Sequence, residues 1–148
     1  MKWKTKINHP LVLRIEGFLL LIEGFFMLTV LPATYLYRGL YAFSMPFSAL
    51  ITLLTGFILL IATRKHRNDK TSQRDGVYIV CISWLVISFF GAMPYLLSKS
   101  VPNFTDGFFE ALSGFTTTGA TIFTNIESVP KDILLWRSMT QWIGGLAI

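Results

Sequence analysis

The chain has 148 residues, of which 53% are hydrophobic, 15% aromatic and only 14% charged. A soluble domain is ordinarily about 45–50% apolar and about one-quarter charged, and a chain this short has too little interior to hide the excess, so a water-soluble globular domain is excluded and lipid is the expected solvent. The net charge of +5 raises nucleic acid as a partner. The Lys and Arg residues, however, fall between apolar runs, where they set membrane topology, and no nucleic-acid partner is expected.

Lys2, Lys4 and Lys6 lead into an apolar run too long for a signal-peptide core and without a small-residue cleavage site, so Met1 is expected to begin the mature protein. Three apolar runs, Leu11 to Leu31, Tyr41 to Ala62 and Val77 to Leu97, are each about 20 residues, enough to cross a hydrocarbon core as helix. All three are predicted to be transmembrane helices. The first two are joined by a short turn, Pro32 to Leu40, with Pro32 and Gly39 as breakers, giving an antiparallel hairpin over residues 1–62. A basic linker follows at 63–76, carrying Arg64, Lys65, Arg67, Lys70 and Arg74 and closed by Gly76. The remainder, 77–148, starts with the third span and finishes with Ile133 to Ile148, which is short for a full crossing and is expected to end inside a helix.

Orientation follows from the cations. With the N-terminus in the cytoplasm, eight Lys and Arg (three at the start, five in the linker) lie inside, against Arg38, Lys99 and Lys131 outside. A lipid- or partner-docking role for the linker is compatible with this reading.

Within the first span, Arg14 and Glu16 lie near the cytoplasmic end, where they can snorkel. Glu23 is deeper and shares a face with Glu16; it reads as a structural pairing between helices, with an ion-pathway role as the alternative. Cys81, the single cysteine, reads as filler facing lipid or core. His9 and His66 have no ligand cluster around them and read as solvated. Trp136, Trp142, Tyr35, Tyr37, Tyr41 and Tyr95 read as interfacial belt residues, and Trp84 as internal packing.

The stretch from Pro102 to Ile122 is too apolar for an ordinary external loop. Asn103 or Thr105 can cap a helix, Asp106 and Glu110 sit in its first turns, and Phe104, Phe108, Leu112 and Phe115 are spaced for one face. The helix is about three turns, too short to span. It is followed by Thr116, Thr117, Thr118, Gly119, Ala120 and Thr121 and a polar return to Asp132, a pattern that suits a re-entrant pore loop. Irregular backbone at membrane depth is tolerated only inside protein or along a watery cavity. A loop beyond a helix C-terminus, the partially negative end, can offer successive carbonyl oxygens to a cation, and Gly119 can turn its own. Thr-rich turns also occur in ordinary loops; position after a short dipping helix is what distinguishes this one.

The run from Phe108 to Thr121, followed by Trp136, Arg137 and Ser138 and then Gln141, Trp142, Ile143, Gly144 and Gly145, resembles the first pore loop and following helix of the Trk/Ktr/HKT potassium transporter superfamily, closest to bacterial TrkH. The resemblance extends more weakly to the whole chain, with the first hairpin matching an extra N-terminal helix pair. It implies an all-α membrane protein in which a transmembrane hairpin precedes a helix–pore-loop–helix repeat of the potassium-channel type. It further implies four such repeats around one pore, with one glycine per filter segment. Thr116, Thr117, Thr118, Gly119 and Ala120 would form the potassium-binding filter of this repeat. Potassium would be the transported ion, with no other metal or cofactor. A homodimer working with a cytosolic TrkA-type nucleotide-binding regulatory subunit in the bacterial inner membrane is implied as well. Ala147 departs from the pattern, where a further glycine is common, which bears on helix packing and not on the filter.

The expected function is potassium uptake, not catalysis. One alternative is a membrane enzyme cradling a phosphate or lipid head group, which would want the loop at a helix N-terminus with free cations nearby. The other is a non-transporting assembly protein, which has no need of an apolar half-helix and a Thr-Gly return.

Overall fold

In the computed structural model, which describes residues 7–37, 41–65 and 73–147, the described residues fold entirely as helices and connecting turns. They run α1 (His9–Tyr37), α2 (Ser44–Thr63), α3 (Gln73–Gly91), α4 (Met93–Leu97), α5 (Phe104–Phe115) and α6 (Lys131–Ala147), with a single 3₁₀ turn at Ile126–Ser128. Ser44–Thr63 and the stretch Gln73–Leu97, α3 and α4 taken together, are each long and apolar enough to cross a membrane. α1, the other expected span, has 29 residues, about 43 Å at helical rise, against a hydrocarbon core of about 30 Å.

α1 and α2 pack along their length as the expected hairpin. They approach closely at Gly17 and Gly56, where a side chain on either would come within 3.0 Å of the other's carbonyl oxygen, the small-residue contact that brings membrane helices together without a hydrophobic drive. The outer faces remain apolar and exposed, with Phe18, Ile22 and Phe25 on α1, Leu50, Leu54, Phe57 and Ile58 on α2, and Val77, Val80 and Leu85 on α3. Cys81 lies on this exposed surface.

Several local expectations change. The helix does not stop at Pro32 but runs through it to Tyr37. Pro32 removes one N–H donor, yet in an apolar setting no water competes for the remaining backbone, so helix persists on both sides. The third span starts at Gln73, so Gly76, expected to close the linker, lies inside α3. Asp75 in its first turn is buried and accepts from the Asn8 N–H at 3.0 Å, tying the start of α1 to α3. The expected linker cations Arg67 and Lys70, together with Arg38, Gly39 and His66, lie outside the described residues.

Trp136 and Tyr95 are not belt residues. Both are fully buried in the core with Met27, Met45, Phe115 and Ile133. α3 yields to α4 just before Pro94, and the Trp136 indole N–H donates to the Gly91 carbonyl at that break at 3.0 Å. An amphipathic ring is drawn inward because its polar edge finds a partner there. Glu16 does not snorkel; it is 2% exposed and accepts from the Ser83 hydroxyl of α3 at 2.7 Å.

Candidate functional site: the Thr-Gly loop behind a dipping helix

α5 is capped by Asn103, whose side chain accepts from the Asp106 N–H at 2.9 Å; of the two predicted caps, it is Asn103 that serves. The helix has 12 residues, about 18 Å, well short of a crossing. Its aromatic face divides: Phe115 is buried in the core, while Phe104 stays 47% exposed and stacks near Phe89 and Phe108.

α6 pins the C-terminal end of α5. A Cβ at Gly144 would run into the Phe115 carbonyl oxygen, and one at Gly114 into the Thr140 hydroxyl, so α6 packs directly on the backbone where α5 ends. Gly145 differs: it has only the Thr117 methyl near it, at 4.0 Å.

Beyond α5 the chain does not simply unwind. The N–H groups of Thr118 and Gly119 both donate to the Ser113 carbonyl, and that of Thr117 to Gly114, folding the loop back on the helix end. Thr117 takes φ +56° and Gly119 φ +75°. A β-branched residue in the left-handed region is uncommon and strained, and such strain gathers at functional sites. The Thr116 hydroxyl donates to the Leu112 carbonyl at 2.8 Å and lies 2.8 Å from the Thr118 hydroxyl. Residues 117–121 are exposed.

The consequence concerns the carbonyls. Among the described residues, no donor reaches the carbonyl oxygens of Thr116, Thr117 or Thr118. That of Gly119 accepts from Arg137 Nη2 at 3.3 Å, and that of Ala120 from the Ser113 hydroxyl at 2.6 Å. Three consecutive oxygens are thus left to solvent or to a ligand, and the two that follow are tethered.

The tether depends on Glu110, placed by sequence among dipole-complementing carboxylates of the first turns. In the structure it is 1% exposed on the second turn. Its carboxylate pairs with Arg137 Nε of α6, accepts from the Thr121 hydroxyl at 2.9 and 3.0 Å, and accepts from the Ile122 N–H at 3.1 Å. One carboxylate therefore holds both the return of the loop and the helix behind it. Sequence reading missed this pair because its members lie far apart in the chain; the only signal was an acidic residue and an arginine both set within otherwise apolar runs.

Comparison with known proteins bears on this arrangement. The TrkH family model, described as a cation transport protein, matches residues 45–148. The chain belongs to the TrkH family. A Trk system potassium uptake protein TrkH of Vibrio parahaemolyticus is 36% identical over 141 residues, covering 93% of this chain and 28% of that protein. An uncharacterized cation transporter of Methanocaldococcus jannaschii is 36% identical over 144 residues, covering 97% and 30%. The TrkH of Escherichia coli K12 is 43% identical over 100 residues, covering 66% and 20%. The crystal structure of the potassium transporter TrkH from V. parahaemolyticus superposes with a TM-score of 0.86 at 33% identity, covering 96% of this chain and 30% of that one. The chain therefore spans less than a third of the length of the TrkH relatives it matches, and its all-helical fold is that of the part of the crystal structure it covers.

Proposed function

We propose that this segment supplies one of four pore loops of a potassium uptake protein, and that Thr116 to Ala120 form its part of the selectivity filter. The single observation that carries the reading is the row of three carbonyl oxygens, Thr116 to Thr118, without an internal donor at the C-terminal end of a helix too short to span. Carbonyls so placed replace the hydration shell of a cation, and the negative end of the helix dipole favours that charge. The Gly119 and Ala120 carbonyls complete the set, held in register by Arg137 and Ser113.

α1 and the α3–α4 stretch cross the membrane alongside α2, the N-terminus faces the cytoplasm, and the loop opens outward. Potassium enters from outside, exchanges water for the carbonyls and passes inward down its electrochemical gradient, with the other three walls supplied by later parts of the full-length protein. The names of the relatives, potassium uptake proteins of a Trk system, support the ion. We extend the same reading to the bacterial inner membrane, a homodimer and a cytosolic TrkA-type nucleotide-binding subunit as partner.

The phosphate-binding alternative is disfavoured by Arg137, whose guanidinium is committed to Glu110 and Gly119. The test is flux: the full-length protein, expressed in cells that lack other potassium uptake, is expected to restore growth at low potassium. Loss of that growth in wild type, with the protein present in the membrane, would refute the proposal.

A further inference from the structure

Behind the dipping helix lies a carboxylate that the ion pathway does not use. Glu23 of α1 is 2% exposed, and neither carboxylate oxygen has a hydrogen-bond partner among the described residues. It lines a cavity of about 280 Å³ between α1, α3 and the α5–α6 contact. Its place relative to the loop is set by Gly91: a methyl group there would lie 3.1 Å from Glu23 Oε1 and 2.6 Å from the Phe115 ring. Phe115 is the last residue of α5, directly before Thr116.

No side chain of α3, α5 or α6 that faces this cavity is ionisable; those polar or near-polar are Ser83 and the Trp84 indole, and the Ser83 hydroxyl is committed to Glu16. On its own helix the nearest charged groups are Glu16, two turns away, and Arg14, which lies over the Phe18 ring. Among the described residues, no cationic side chain reaches either carboxylate oxygen of Glu23. An alkali ion is a poor occupant because the cavity offers few oxygens beyond the carboxylate itself. An isolated carboxylate in such surroundings is most cheaply satisfied by one proton.

Glu16 extends the feature toward the cytoplasmic end of α1. Its second oxygen is likewise without a partner, and it lines a separate cavity of about 340 Å³ shared with His9 and Tyr78. Ser83 borders the Glu23 cavity and bonds Glu16, so one hydroxyl adjoins both sites.

We propose that Glu23 is an exchangeable proton site set behind the filter, reached from the Glu16 end of α1, and that its occupancy sets the charge felt by a cation at Thr116 to Thr118. The exchange is a simple acid–base step, in which the carboxyl O–H releases its proton to water and leaves a carboxylate. The proposal rests on the reading of the loop as a cation pathway. A unit charge on the order of 10 Å from a bound cation, at an effective dielectric near 20, changes its affinity by roughly tenfold. The neutral acid should therefore give the weaker site.

The experiment uses the full-length protein in vesicles, with rubidium uptake followed from acid to alkaline pH, alongside infrared spectra of the carboxyl region. Wild type should show a protonated-carboxyl band that Glu23→Gln removes, and rubidium affinity about tenfold weaker at acid pH. Glu23→Gln should show the weak affinity at every pH, while Glu23→Asp, which folds with the same charge, should keep the pH dependence. The inference is overturned if Glu23→Gln removes no band, if it keeps the wild-type pH dependence, or if the band titrates while uptake does not change. Absence of uptake in wild type together with a Glu23 band would overturn the pathway reading and leave the proton site standing.

Discussion

Replacing Glu110 by Gln tests whether the loop is held by one carboxylate. The side chain of Glu110 is fully buried and that of its partner Arg137 is 20% exposed. Removing one member of a buried ion pair costs about 3–5 kcal/mol because the remaining charge loses its compensation. Arg137 keeps some access to solvent, which places the expected loss for Glu110→Gln near the lower end, about 3 kcal/mol. The variant keeps one acceptor oxygen, so the Thr121 and Ile122 bonds are weakened rather than abolished. The informative comparison is the exchange Glu110→Arg with Arg137→Glu. It restores opposite charges, but arginine has no acceptor for the Thr121 hydroxyl or the Ile122 N–H. Thermal unfolding of the purified full-length protein in detergent should show both variants destabilised, with the exchange no better than Glu110→Gln, and potassium–sodium discrimination in flux assays should fall in both. Recovery of stability and discrimination by the exchange would show that charge pairing alone, and not the bracket on the loop, is at work.

Other expectations follow from the same geometry. Gly119→Ser forces a side chain onto φ +75°, at a cost of about 1–2 kcal/mol, though the space around it is open; selectivity for potassium over sodium should relax, and unchanged selectivity would remove Gly119 from the filter. Gly144→Ala drives a methyl group into the Phe115 carbonyl oxygen, so α6 must withdraw from α5 at a cost of about 1–3 kcal/mol or more, read as a lowered melting temperature, whereas Gly145→Ala should be nearly neutral. In a Cys81→Ser background, Lys65→Cys should react with a membrane-impermeant thiol reagent only from the cytoplasm and Glu127→Cys only from outside; the reverse pattern would overturn the orientation.

Much of the fold was legible because lipid imposes simple length and polarity rules. The hairpin, the short helix α5 and its Asn103 cap follow from apolar run length, capping chemistry and periodicity, all local properties. The proposal of potassium as the ion came from the motif resemblance, not from those rules. What stayed hidden depends on contacts distant in sequence. Nothing near Glu110 announces Arg137, and nothing near Trp136 announces the Gly91 carbonyl that draws its indole inward. Pro32 misled for a different reason: its breaker strength is calibrated in water, where freed backbone groups find other partners. Glu16 looked free to snorkel because Ser83, its partner, sits on another helix. Within the loop, composition suggested carbonyl donors, but which oxygens are engaged and which are open depends on Ser113 and Arg137 and is visible only in three dimensions.

The central claim is that the Thr116 to Thr118 carbonyls face a cation. Its most direct measurement is the anomalous scattering of rubidium in crystals of the full-length protein. Rubidium peaks are expected at direct coordination distance from these three oxygens, on the axis shared with the other pore loops. Peaks confined to other sites, with this loop ordered and its carbonyls turned into protein, would contradict it.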